Sequence, residues 1–193
     1  MNYLENQLQN LKAYRQDRLD LAHYLIAHPE EMELLMNFCT QVERDISYRA
    51  AWILEMVFLE NPTVFYPHTE AFMSIVPKVF KDQAVRPFGK IISVLTENFY
   101  SKNYHPEKKL LILKHRNQLA ESCFDWLISN QKTAAKAYAM QALFELGKEF
   151  DWIHPELKQI IQNNYENELP AYKARARMVL KSLKKYQNQP KNV

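Results

Sequence analysis

The residues of this chain whose types could do chemistry are six histidines, a few clustered carboxylates, two cysteines and a basic stretch at the C-terminal end. Three histidines recur in one tripeptide: His28-Pro29-Glu30, His105-Pro106-Glu107 and His154-Pro155-Glu156. A residue before proline is pushed into extended geometry, so these histidines mark helix starts rather than a proton-transfer centre. Packed helices lie about 8–10 Å apart, which also keeps rings on successive helices from sharing one ion. His68 with Glu70, and His115 near Arg116, have no partner at ligand spacing, and His23 lies in a Leu-rich segment. Glu30, Glu31 and Glu33 crowd a helix start, where the positive end of the dipole accounts for them. Cys39 and Cys123 sit among Met36, Phe38, Phe124 and Trp126, without a CxxC or a neighbouring histidine, and read as small buried hydrophobes. Neither H-E-x-x-H nor a nucleophile elbow occurs. No catalytic residue, metal or cofactor is expected.

The basic stretch is the best candidate for an interaction surface. After Glu168 the chain has no acidic residue but carries Lys173, Arg175, Arg177, Lys181, Lys184, Lys185 and Lys191. Lys173, Arg177, Lys181 and Lys184 follow helical spacing and share one face, opposite Ala176, Val179, Leu180 and Leu183. Such a face either binds anions or forms a polar cap whose cations complement a helix C-terminus. Overall charge does not decide, because 25 Lys and Arg against 22 Asp and Glu leave only +3. Its distribution is uneven: residues 1–100 hold 9 basic and 13 acidic side chains, residues 101–193 hold 16 and 9.

The elements that must position these residues follow from composition and proline spacing. Of 193 residues, 47% are hydrophobic and only two, Gly89 and Gly147, are glycine. That leaves almost no tight βα turns or phosphate-cradling loops, and excludes Rossmann-like and P-loop enzymes. A single domain over residues 1–187 with a polar tail at 188–193 is expected. No leader segment and no apolar run of spanning length is apparent, so a cytoplasmic location is expected, with no membrane partner. Pro29, Pro67, Pro106 and Pro155 open acid-containing, helix-favouring segments at intervals of 38, 39 and 49 residues. Between them Asp45/Arg49 and Asp82/Arg86 repeat at 37 residues, and the basic column continues at Lys136 and Lys173. Three residues beyond each basic position stand Trp52, Gly89, Ala139 and Ala176. Both ladders place their extra residues between Pro106 and Lys136. The resulting map alternates A and B helices: 4–27, 29–42, 46–60, 67–80, 84–100, 106–129, 132–149, 155–167 and 170–187. It leaves open whether 106–131 is one helix or two, and expects Pro77 to shorten the fourth.

Self-similarity of this length, two helices per copy, resembles HEAT or armadillo-type repeats. In HEAT repeats the first helix commonly carries an Asp and an Arg a few residues apart, as Asp45/Arg49 and Asp82/Arg86 do. The later copies depart, with Lys132, Lys136 and Lys173 in the column. The resemblance covers about residues 28–187. It implies an all-α solenoid of four to five antiparallel helix pairs and a scaffold that binds a protein or peptide on its concave surface. A second class is implied too: a nucleic-acid-binding protein, or a HEAT-like DNA glycosylase, using the basic C-terminal half. Those glycosylases use an Asp with nearby Trp residues, and Asp125 beside Trp126 is the one such neighbour here. The chain also faintly resembles short all-helical bacterial proteins labelled adenylosuccinate lyase. The Ser-containing, Gly-rich signature loop of that enzyme is nowhere in the sequence, so its activity is not expected.

Overall fold

A computed structural model describes residues 2–188, and within them every regular element is helical and no strand occurs. Lys191 and most of the expected polar tail lie outside the described residues. The chain divides into two compact units, Met1–Ile91 and Ile92–Val193.

The first unit holds α1 (Tyr3–Asn10), α2 (Arg15–Ala27), α3 (Met32–Thr40), α4 (Asp45–Glu60), α5 (Pro62–Phe65) and α6 (Thr69–Ile75), followed by the start of α7 (Asp82–Tyr100). The expected helix over 4–27 is two helices. Leu11 turns extended after α1, and the Arg49 guanidinium reaches back from α4 to the freed carbonyls, donating to Leu8 O at 3.2 Å and to Gln9 O. Charged donors are good partners for a helix's last carbonyls, and a long-range donor of this kind is invisible to local spacing. The helix expected over 67–80 begins earlier. Asn61 caps it by accepting from Thr63 N at 3.3 Å, and Pro62 takes the first position. Pro67 is then tolerated in a 3₁₀ turn, Tyr66–His68, and Pro77 sits in the turn Val76–Lys78 that ends the run.

Pro87 lies inside α7. It lacks the N–H that would reach the carbonyl of Gln83, and the Trp52 indole of α4 donates to that oxygen instead, at 3.0 Å. Trp52 is the one large residue in the otherwise small column, and this bond explains its size. A chain of rings, Phe58, Phe65, Phe72 and Phe88, runs through the core at centroid spacings of 5.0, 5.2 and 4.8 Å. It joins α4, α5, α6 and α7. α4 also packs on α1, α2 and α3, and α3 on α6.

In the second unit, the end of α7 is followed by α8 (Glu107–Leu110), α9 (Leu113–Ile128), α10 (Thr133–Leu146), α11 (Ile153–Asn164) and α12 (Pro170–Gln187). The stretch 106–129 is therefore two helices. The carbonyls at the break are again taken from the following helix: His115 Nδ1 bonds Leu110 O at 3.1 Å, and the Arg116 guanidinium donates to Leu111 O. α10 is central, packing on α9, α11 and α12, and α11 packs on α12. Leu119, Cys123, Trp126, Met140, Leu143, Leu157 and Tyr172 fill the space between them and are buried. No helix among the described residues is long and apolar enough to cross a membrane.

Candidate functional site

Arg49, Arg86, Lys136 and Lys173 form the basic column. Arg49 caps α1. Arg86 of α7 grips the buried Glu55 of α4 with two bonds, of 3.2 and 2.5 Å. Lys136 of α10, itself buried, pairs with Glu168 at 2.6 Å and lies over the Tyr172 ring. Lys173 donates to the carbonyl of Glu166 at 3.0 Å and lies 5.5 Å above the Tyr165 ring. Each cation ties its helix to a neighbouring element within its own unit. Asp45, four residues before Arg49, bonds Lys81 at 3.2 Å.

The candidate face on α12 consequently splits. Lys173 and Arg177 both serve the 3₁₀ turn before the helix, Arg177 donating to the Tyr165 hydroxyl at 2.9 Å. Lys181 and Lys184 are exposed and make no ion pair among the described residues. Beside them a groove of about 340 Å³ is lined by Lys102, Lys148 and Lys185 with Tyr100, Phe144 and Tyr186. Its aromatic faces are already used. Phe144 stacks on His154 at 5.6 Å while Lys148 lies 5.4 Å over its ring, and Tyr186 meets His154 edge-on at 5.1 Å. Lys148 is also bonded to Glu145. α7, α10 and α12 all end near this groove, and three lysines suit three negative helix ends.

His28 and His154 occupy structural positions. His28 bonds the Tyr24 carbonyl at 2.8 Å and stacks on its ring. His154 is buried and its Nε2 bonds the Phe144 carbonyl at 2.8 Å. Among the described residues, no three His, Cys, Asp or Glu side chains are grouped to hold a metal ion. Burial pushes the imidazoles of His154 and His68 below their ordinary value of 6.5. In the unfolded chain both take up a proton as pH falls through 6.5, while the folded state resists. Stability is therefore fully present above that pH and declines below it. Urea unfolding at pH 7.5, 6.5 and 5.5 should show this decline, and His154→Gln should make it shallower; a profile unchanged by the substitution contradicts the assignment to His154. Burial likewise pushes the thiols of Cys39 and Cys123 far up.

No family model, curated protein or solved structure matches this chain.

Trp152, just before α11, is the largest apolar side chain left in water in the second unit, where Tyr104, Ile112, Leu113, Ile128, Leu169 and Met178 are exposed as well. Trp152 is 53% exposed and Ile128 63% exposed, and the Trp152 ring stacks on Phe124 at 5.4 Å. Phe124 and Ile128 are four apart on α9, and Glu121, Asp125 and Ile128 share a face of the same helix. Asp125 is exposed whereas Trp126, next to it, is buried, so that pair does not face one site. The cluster was hidden in the sequence because its rings read as core.

Proposed function

We propose that this protein is a non-catalytic helical-repeat scaffold of the solenoid type, docking a protein or peptide segment along the surface of its second-of-pair helices. The observation that carries the reading is the order of packing inside each unit. A first-of-pair helix meets the preceding first-of-pair helix (α4 on α2, α12 on α10) and the second-of-pair helix before it (α4 on α3, α10 on α9, α12 on α11). Stacked repeats contact their neighbours in this way. The cation column supports it too, since each member bridges elements that such stacking would bring together. The mechanism is shape with a few anchors: large apolar side chains supply most of the binding energy and the polar surroundings exclude water. Affinity purification of the whole chain from its native lysate should retain a stoichiometric protein partner at moderate salt. Recovery of none across conditions overturns the reading.

One observation favours a second reading, nucleic-acid binding. Lys181 and Lys184 are exposed and unpaired among the described residues, and Lys102, Lys148 and Lys185 line a groove without acids. Phosphate contacts release counterions, so binding would fall steeply with salt. Titration of labelled duplex against Lys181→Glu with Lys184→Glu separates the two readings.

A further inference from the structure

We propose that the Phe124, Ile128 and Trp152 cluster is the seat of a basic amphipathic segment of a partner protein, whose large apolar side chain covers Trp152 and whose Lys or Arg residues pair with the surrounding carboxylates. The inference rests on the docking reading above and assigns it a place and a partner chemistry.

Half-exposed tryptophan is costly to leave in water, and Trp is the residue most enriched among binding anchors. Trp152 stands against Phe124 with Ile128 one turn along, so an incoming side chain would meet three apolar surfaces at once. The electrostatics select the partner. Residues 101–193 hold 16 basic and 9 acidic side chains, and several acids are paired: Glu145 with Lys148, Glu149 with Arg116, Glu166 with Lys173, and Glu168 with Lys136. Glu121, Asp125 and Asp151 are exposed and have no cationic partner among the described residues. Glu121 and Asp125 lie beside Phe124 along α9, and Asp151 adjoins Trp152 in the chain. In a region with cations in excess, the carboxylates next to its exposed rings are left unneutralised. A cationic partner gains from this arrangement, and the same carboxylates repel phosphates and acidic peptides. A groove lined by Leu113, Lys114, Asn117, Gln118 and Glu121 lies toward the other end of α9; Lys114 is exposed there, so the partner's cations are placed at the Trp152 end, beside Asp125 and Asp151.

The test is selection of a random peptide display library on the intact protein, followed by titration of the enriched peptides. Peptides with Lys or Arg flanking a large apolar residue are expected, with affinity reduced about tenfold or more by Trp152→Ala. Asp125→Lys with Asp151→Lys should weaken the same peptides and remove most of their salt dependence. This charge reversal leaves the apolar cluster and the core untouched, and circular dichroism and melting temperature confirm that both variants fold. Enriched peptides indifferent to both variants overturn this assignment while leaving the docking reading in place. Acidic peptides, or a labelled oligonucleotide displaced by Trp152→Ala, overturn the partner chemistry. No enrichment overturns the assignment as well, and the docking reading then falls only if affinity purification also recovers no partner.

Discussion

Replacing Gly147 with alanine is expected to destabilise the protein by about 3 kcal/mol, near the upper end for overpacking a tight site. The cause is the imidazole of His154. A Cβ at position 147 would stand 2.0 Å from Cδ2 and 2.3 Å from Nε2 of that ring. The ring cannot simply move aside, because it is bonded to the Phe144 carbonyl, stacked on Phe144 and met edge-on by Tyr186. Backbone geometry is not the obstacle: Gly147 ends α10 with φ of −66° and ψ of −6°, a conformation any L-residue adopts. Removing the ring should therefore reverse the effect. In a His154→Ala background, Gly147→Ala should be neutral or slightly stabilising, since alanine loses less entropy than glycine in a helical conformation. Urea denaturation of the four proteins in this cycle measures the coupling. A Gly147→Ala chain as stable as the parent contradicts the account.

Arg116→Met should cost about 2 kcal/mol, the sum of a partly exposed bidentate pair and a carbonyl left without its donor. Arg116 holds several groups at once: it bonds both carboxylate oxygens of Glu149, at 2.8 and 2.7 Å, donates to the carbonyl that ends α8, and lies 4.5 Å over the Phe99 ring. Tyr100 donates to the same carboxylate at 2.6 Å. The substitution keeps the length of the side chain but leaves Glu149 half-satisfied and the Leu111 carbonyl without its donor. Arg116 also holds the Glu149 carboxyl below the usual glutamate value. A depressed carboxyl contributes stability above its unfolded value and loses it as pH falls. The parent should therefore weaken below about pH 4.5, and Arg116→Met should flatten that acid limb. Glu149→Gln should flatten the limb equally at a smaller cost, because a neutral amide still accepts from Tyr100. An acid limb unchanged in both variants would show that this node does not set it.

The class of fold was legible because its signals are local. Glu after proline at the helix starts, scarce glycine and apolar residues at helical spacing place α3, α4, α7, α10, α11 and α12 close to their expected bounds. The breaks were not legible, because what permits them comes from elsewhere in the chain. Leu11 and Leu111 look like helix interior until Arg49 is seen capturing the carbonyls of Leu8 and Gln9, and Arg116 that of Leu111. Pro67 misled for the opposite reason: proline marks a first turn only where nothing stronger precedes it, and Asn61-Pro62 does. On the candidate site, the period of α12 correctly grouped Lys173, Arg177, Lys181 and Lys184 on a helix. It could not say that the first two would be occupied by Tyr165 and Glu166. Trp152 escaped notice because an aromatic in an apolar neighbourhood is ordinarily core, and only packing reveals that its ring stands half in water.

Cys39 belongs to the first unit and Cys123 to the second, and both are fully enclosed with their thiols held protonated. Neither can meet an alkylating reagent until the helices around it part. The chain thus carries one built-in reporter in each half, and the two modification rates, read separately by mass spectrometry, time the breathing of each half without any engineered label.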